Sequence, residues 1–89
     1  MMSVLLQRMR LAFVLVECAM GLASSAEQTI KKVQGVVEAH SIKSGTDYDL
    51  ILKVQAEDEG QFGTTITNLK KIAGVAAIAV SIVYGGTLY

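Results

Sequence analysis

The sequence predicts an α+β domain with the element order βαββαβ, on three observations: an internal duplication, two amphipathic helical patterns, and β-rich runs flanking each helix. Lys31-Lys32-Val33-Gln34-Gly35-Val36 and Lys70-Lys71-Ile72-Ala73-Gly74-Val75 agree at four of six positions, with an offset of 39 residues. Such a repeat marks two copies of one supersecondary unit. In both copies a helical pattern ends in two lysines, a glycine follows within three residues, and a β-branched residue opens an apolar run. Cations in a last helical turn and a glycine just beyond it are stop signals, so each glycine is expected at the C′ position of its helix.

The first strand is expected over 11–17, with Leu11, Phe13 and Leu15 on one side and Ala12, Val14 and Val16 on the other. A helix over 22–34 follows, because Leu22, Ala26, Ile30 and Val33 share one face while Glu27, Gln28, Lys31 and Lys32 share the opposite one. Ser24 and Glu27 have the spacing of a capping box, and Gly21 leaves open a start one turn earlier. The second strand is expected over 36–43 and the third over 48–55, joined by the hairpin sequence Lys43-Ser44-Gly45-Thr46-Asp47. A second helix over 59–73 carries the stripe Phe62, Ile66, Leu69 and Ala73, with Asp58 and Gln61 placed to cap its start. The last strand, 75–84, divides into Ala77, Ala79, Ser81 and Val83 against Ile78, Val80, Ile82 and Tyr84.

Two right-handed βαβ crossovers joined by a hairpin put both helices on one face of a four-stranded antiparallel sheet, the ferredoxin-like arrangement. Residues 11–84 form this domain, with a short extension at 1–10 and a tail at 85–89. Both sides of the first and last strands are apolar, whereas a solvated sheet face would alternate with polar residues. The helix-free face is therefore expected to be covered by a second subunit, and Val14, if it lies on that face, is a position where Asp should break the assembly.

Composition limits the function. Eight Lys plus Arg balance eight Asp plus Glu, so no basic field is available for a nucleic-acid backbone, and direct DNA binding is not expected. Hydrophobic residues make up 52% of 89, more than so small a domain can hide alone. The lone Cys18 cannot form an internal disulfide, and no Cys/His cluster offers a metal site, which fits a reducing, cytoplasmic location. Arg8, Arg10 and the apolar run 11–16, followed by Ala23-Ser24-Ser25-Ala26, resemble a signal peptide. Glu17 interrupts that pattern, and cleavage there would delete the first strand. The apolar stretch 72–84 is shorter than the roughly 20 residues a helix needs to span a bilayer, so no membrane segment is expected.

No residue gives a specific catalytic signal, and neither an enzyme activity nor a cofactor is expected. His40 reads as a solvated strand histidine without a partner at ligand spacing, although a general base remains open. Cys18 reads as an unreactive thiol, and Glu57, Asp58 and Glu59 as helix-start carboxylates. Gly45, Tyr48 and Asp49 stand apart. Turn chemistry explains a glycine and an aspartate at a hairpin but does not require Tyr48-Asp49 just inside the next strand, which suggests a small polar pocket at a subunit boundary.

Taken in order, the segments 11–16, 35–40, Gly45 with Tyr48-Asp49 running into Leu50-Ile51-Leu52-Lys53-Val54, and 70–75 resemble the effector-binding (RAM) domain of the leucine-responsive regulator (Lrp)/AsnC family. The resemblance implies a dimer built through sheets, further assembly into rings, and an amino-acid effector held between dimers. It implies Gly45 for backbone approach, Tyr48 for packing or a hydroxyl contact, and Asp49 for the effector's ammonium group. Only 1–10 precede the first strand, so the chain resembles the stand-alone members, which would act on transcription through a DNA-binding relative. Two features depart from the family: both Thr46 and Asp47 separate Gly45 from Tyr48, where one residue is usual, and Ile78 and Val80 stand where threonines are common. A small dimeric enzyme of the cofactor-free monooxygenase type and a ligand-free assembly partner compete with this reading. An ACT-like domain shares the strand order. A cavity lined by His40 would favour the enzyme.

Overall fold

The computed structural model describes residues 10–42 and 47–83. The elements are β1 (Arg10–Cys18), α1 (Ala23–Ile30), β2 (Val36–Ser41), β3 (Leu50–Ala56), α2 (Glu59–Lys70) and β4 (Val75–Val83). They build one four-stranded antiparallel sheet in the order β2-β3-β1-β4, the ferredoxin-like topology expected from the duplication. No helix among the described residues is long and apolar enough to cross a membrane.

The core forms where both helices meet one sheet face. Val14 and Val16 of β1 lie opposite Leu52 and Leu50 of β3, and these four pack with Ala26 and Ile30 of α1 and Leu69 of α2. Val14 is fully buried there, so the condition under which Val14→Asp would test the assembly, a place on the helix-free face, is not met. The alternation separates two sets of residues correctly, but both sets are apolar and the pattern does not say which one the helices cover.

The other face carries Leu11, Phe13 and Leu15 of β1, Ile51 of β3, and Ala77, Ala79 and Ser81 of β4, as the pairings place them. Phe13 is 41% exposed at its centre. Toward β2 the same face turns polar, with Glu38, His40 and Lys53.

Both helices are shorter than their amphipathic patterns suggest. α1 starts after Leu22 with no side-chain cap, so Ser24 lies inside the helix and the expected Ser24–Glu27 capping box is absent. Glu27 instead pairs with Lys31 at 3.4 Å and accepts a hydrogen bond from Ser41 Oγ at 3.4 Å. α2 is capped as expected, with Asp58 Oδ1 accepting from Gln61 N at 2.8 Å.

Each glycine stop acts beyond the helix end, not at C′. Val36 N donates to Val33 O, and Val75 N to Ile72 O, closing matching four-residue turns. Gly35 and Gly74 occupy the third positions with φ of 102° and 95°, where a β-turn of the second type requires positive φ. The duplication thus repeats a turn as well as a helix end.

Candidate functional site

Of the three residues singled out by the sequence, Gly45 lies outside the described residues, while Tyr48 and Asp49 are half-buried just before β3. Asp49 ties three strands together. Its N–H donates to Val16 O at 2.8 Å, its carbonyl accepts from Ile42 N at 2.9 Å, and its Oδ2 accepts from Cys18 N at 2.7 Å. The pairing of β1 with β4 shifts register between Glu17 and Cys18, a bulge next to the donor that Asp49 receives. Asp49 therefore contributes to structure as well as offering a carboxylate, and its position is fixed by those bonds.

Sequence reasoning did not foresee the neighbours it gathers. Cys18 is half-buried, and burial foremost, then the carboxylates of Asp49 and Glu27, push its thiol above the ordinary range. A raised thiol has less thiolate at neutral pH, in keeping with an unreactive side chain. Glu27, Ser41 and Lys31 extend this polar group from α1 to the end of β2. Ile78, at one of the expected threonine positions, packs against the core, and Val80 lies opposite Val14.

His40 does have an acidic partner, contrary to the sequence reading. Alternation along β2 puts Glu38 on the same face, with Glu38 Oε1 3.0 Å from His40 Nε2 and Glu38 Oε2 3.8 Å from Lys53 Nζ. The hydrogen bond from His40 and the charge of Lys53 hold the Glu38 carboxyl below its usual range. A hollow of about 70 Å³ between Phe13, Ile51 and this group, and a groove of about 290 Å³ along the outer edge of β2, both border His40.

The same architecture occurs in known proteins. The model of the Lrp/AsnC ligand-binding domain matches residues 11–87. The chain belongs to that family. A search of curated proteins finds no match to this Lrp/AsnC domain. Among solved structures, FFRP-DM1 is 24% identical with a TM-score of 0.76, over 83% of this chain and 97% of that one. A hypothetical protein from Pyrococcus horikoshii is 24% identical with a TM-score of 0.75, covering 83% of this chain and 88% of its own. A transcriptional regulator from Neisseria meningitidis, solved as an L-Met complex, is 21% identical with a TM-score of 0.72, over 92% of this chain and 53% of the regulator. At these identities the structural likeness shows the fold.

Proposed function

We propose that this Lrp/AsnC domain is a regulatory module that works as an oligomer and binds an amino acid at the hairpin end of its sheet. Tyr48 and Asp49 would contact the effector, joined by Gly45 from the sequence pattern. The supporting observation is Asp49: a half-buried carboxylate whose Oδ2 is held by the Cys18 N–H at 2.7 Å. Such an anion is oriented before any ligand arrives, which suits recognition of an ammonium group. The Neisseria regulator, which carries L-Met, supports an amino acid as the ligand class.

Asp49→Asn separates this role from the structural one. The amide oxygen can still accept from Cys18 N–H, so fold and assembly should persist, while the charge facing an ammonium group is lost. A charge-assisted hydrogen bond is worth roughly 1.5 to 3 kcal/mol, so affinity should fall by about ten- to a hundredfold. Calorimetric titration against the common amino acids measures this. Equal affinity in both proteins, or no binding by the wild type, would contradict the assignment.

The His40–Glu38–Lys53 group is the observation that favours the enzyme reading. Three properties weigh against it. His40 and Glu38 side chains are 64% and 51% exposed, and a general base works best where water is excluded and its pKa is raised toward neutrality. Glu38 is shifted the opposite way. The 70 Å³ hollow is about half of the roughly 150 Å³ cavity that holds a benzene, and the 290 Å³ groove that also borders His40 lies open along the strand edge.

A further inference from the structure

The duplication supplies an internal control for a second feature, a cleft of about 140 Å³ at the end of the sheet where β2 begins and β3 finishes. It is lined by Gln34, Gly35, Gln55, Gln61, Thr64, Thr65 and Asn68. None of these side chains ionises at neutral pH, and all but glycine can donate and accept hydrogen bonds. Here the turn before β2 crosses α2, and Thr65 lies so close to Gly35 that a Cβ there would meet its Oγ1 at 2.6 Å. Thr65 Oγ1 lies 3.0 Å from Gln34 O and 3.2 Å from Gln61 O.

In the other half, the turn before β4 crosses α1 in the same way. Gln55 N donates to Gly35 O at 2.8 Å, and Ala19 N donates to Gly74 O at 2.8 Å. The 39-residue offset sets Gln34 against Ala73, Gln61 against Leu22, and Thr65 against Ala26. A Cβ at Gly74 would accordingly meet Leu22 Cβ at 3.0 Å and Ala26 Cβ at 3.5 Å. At these three positions one crossing carries alanine and leucine where its counterpart carries carboxamides and a hydroxyl, while Thr64 and Asn68 face Ser25 and Thr29 across the same offset. The fold makes this crossing with Ala26 buried and Leu22 against Gly74 in one half, so Thr65 and Gln61 at the same positions in the other half are not required by the turn itself.

We infer that the polar crossing is a binding site for a neutral small molecule bearing amide groups, separate from the Asp49 end of the sheet. The lining determines the chemistry. A carboxamide presents one acceptor and two donors, which match the alternating edge of another amide, whereas a charged ligand would find no counter-ion. Among the described residues the side chains of Gln34, Gln55 and Asn68 make no hydrogen bond, and Gln61 uses only Oε1, which accepts from Glu57 N at 3.0 Å. The volume is close to the roughly 150 Å³ that holds a benzene, so a single six-membered ring fits.

The test uses uracil and nicotinamide as probes, with glycerol as a neutral polyol control, in a titration of the full chain followed by amide chemical shifts. The expected result is saturable shifts at Gly35, Gln55 and Thr65 with uracil or nicotinamide and none with glycerol. The variant Gln34→Ala/Asn68→Ala removes the carboxamides at two exposed positions and should weaken binding by at least about tenfold, corresponding to two lost hydrogen bonds. Thr65→Ala, which copies Ala26, is the second variant and should also weaken binding while the backbone dispersion pattern is kept. Absence of saturable shifts, equal shifts with glycerol, or unchanged affinity in two folded variants would overturn the inference.

Discussion

Val14→Asp is expected to unfold the protein, whereas Phe13→Asp, one residue away, is expected to leave the fold intact and dissociate the assembly. Val14 is fully buried between Leu52 and Val80 in the sheet and under both helices, in a cluster of apolar side chains that offers a carboxylate no partner. A buried, unpaired charge costs several kcal/mol, against a total stability of roughly 4 to 13 kcal/mol for a chain of this length. Phe13 points to the helix-free face and is 41% exposed in the single chain, so a carboxylate there stays hydrated until a second copy covers it. Circular dichroism with urea unfolding reads the first effect, and sedimentation reads the second. A cooperatively folded Val14→Asp, or a Phe13→Asp protein of unchanged size, would refute the assignment of faces.

Gly35→Ala is expected to cost about 2 to 4 kcal/mol, and Gly21→Ala only about 1 kcal/mol, although both glycines have positive φ. The difference is steric. Nothing lies within 4 Å of a Cβ at Gly21, while at Gly35 it would stand 2.6 Å from Thr65 Oγ1 and 3.3 Å from Gln55 O. Combining Gly35→Ala with Thr65→Ala should recover part of the loss, since the corresponding Gly74–Ala26 approach is 3.5 Å. Equal midpoints for the two single variants in urea unfolding would show that backbone conformation alone sets the cost.

The repeated Lys-Lys-x-x-Gly-Val segments made the topology legible, because a helix stop followed by a β-branched run twice at one spacing admits few arrangements. Helix ends were less legible: Val33, Ile72 and Ala73 continue the amphipathic pattern through turns that are no longer helical. Ser24 resembled a cap by spacing alone, but the chain enters α1 at Leu22. Thr65 was invisible as a core residue because a hydroxyl looks wrong in an apolar stripe, yet it is 5% exposed with backbone acceptors for its proton. The Glu38–His40 pair was available from strand alternation. The Asp49–Cys18 bond was not, since it joins a side chain to a backbone donor 31 residues away, and no sequence pattern encodes that.

Assembly and ligand binding meet in one measurement, native mass spectrometry of the full chain with and without a panel of amino acids. Phe13, exposed on the helix-free face beside half-buried Leu15, predicts even-numbered oligomers at micromolar concentration, and the Asp49 end predicts a mass increase for at least one amino acid. A monomer with no bound mass under every condition would contradict both.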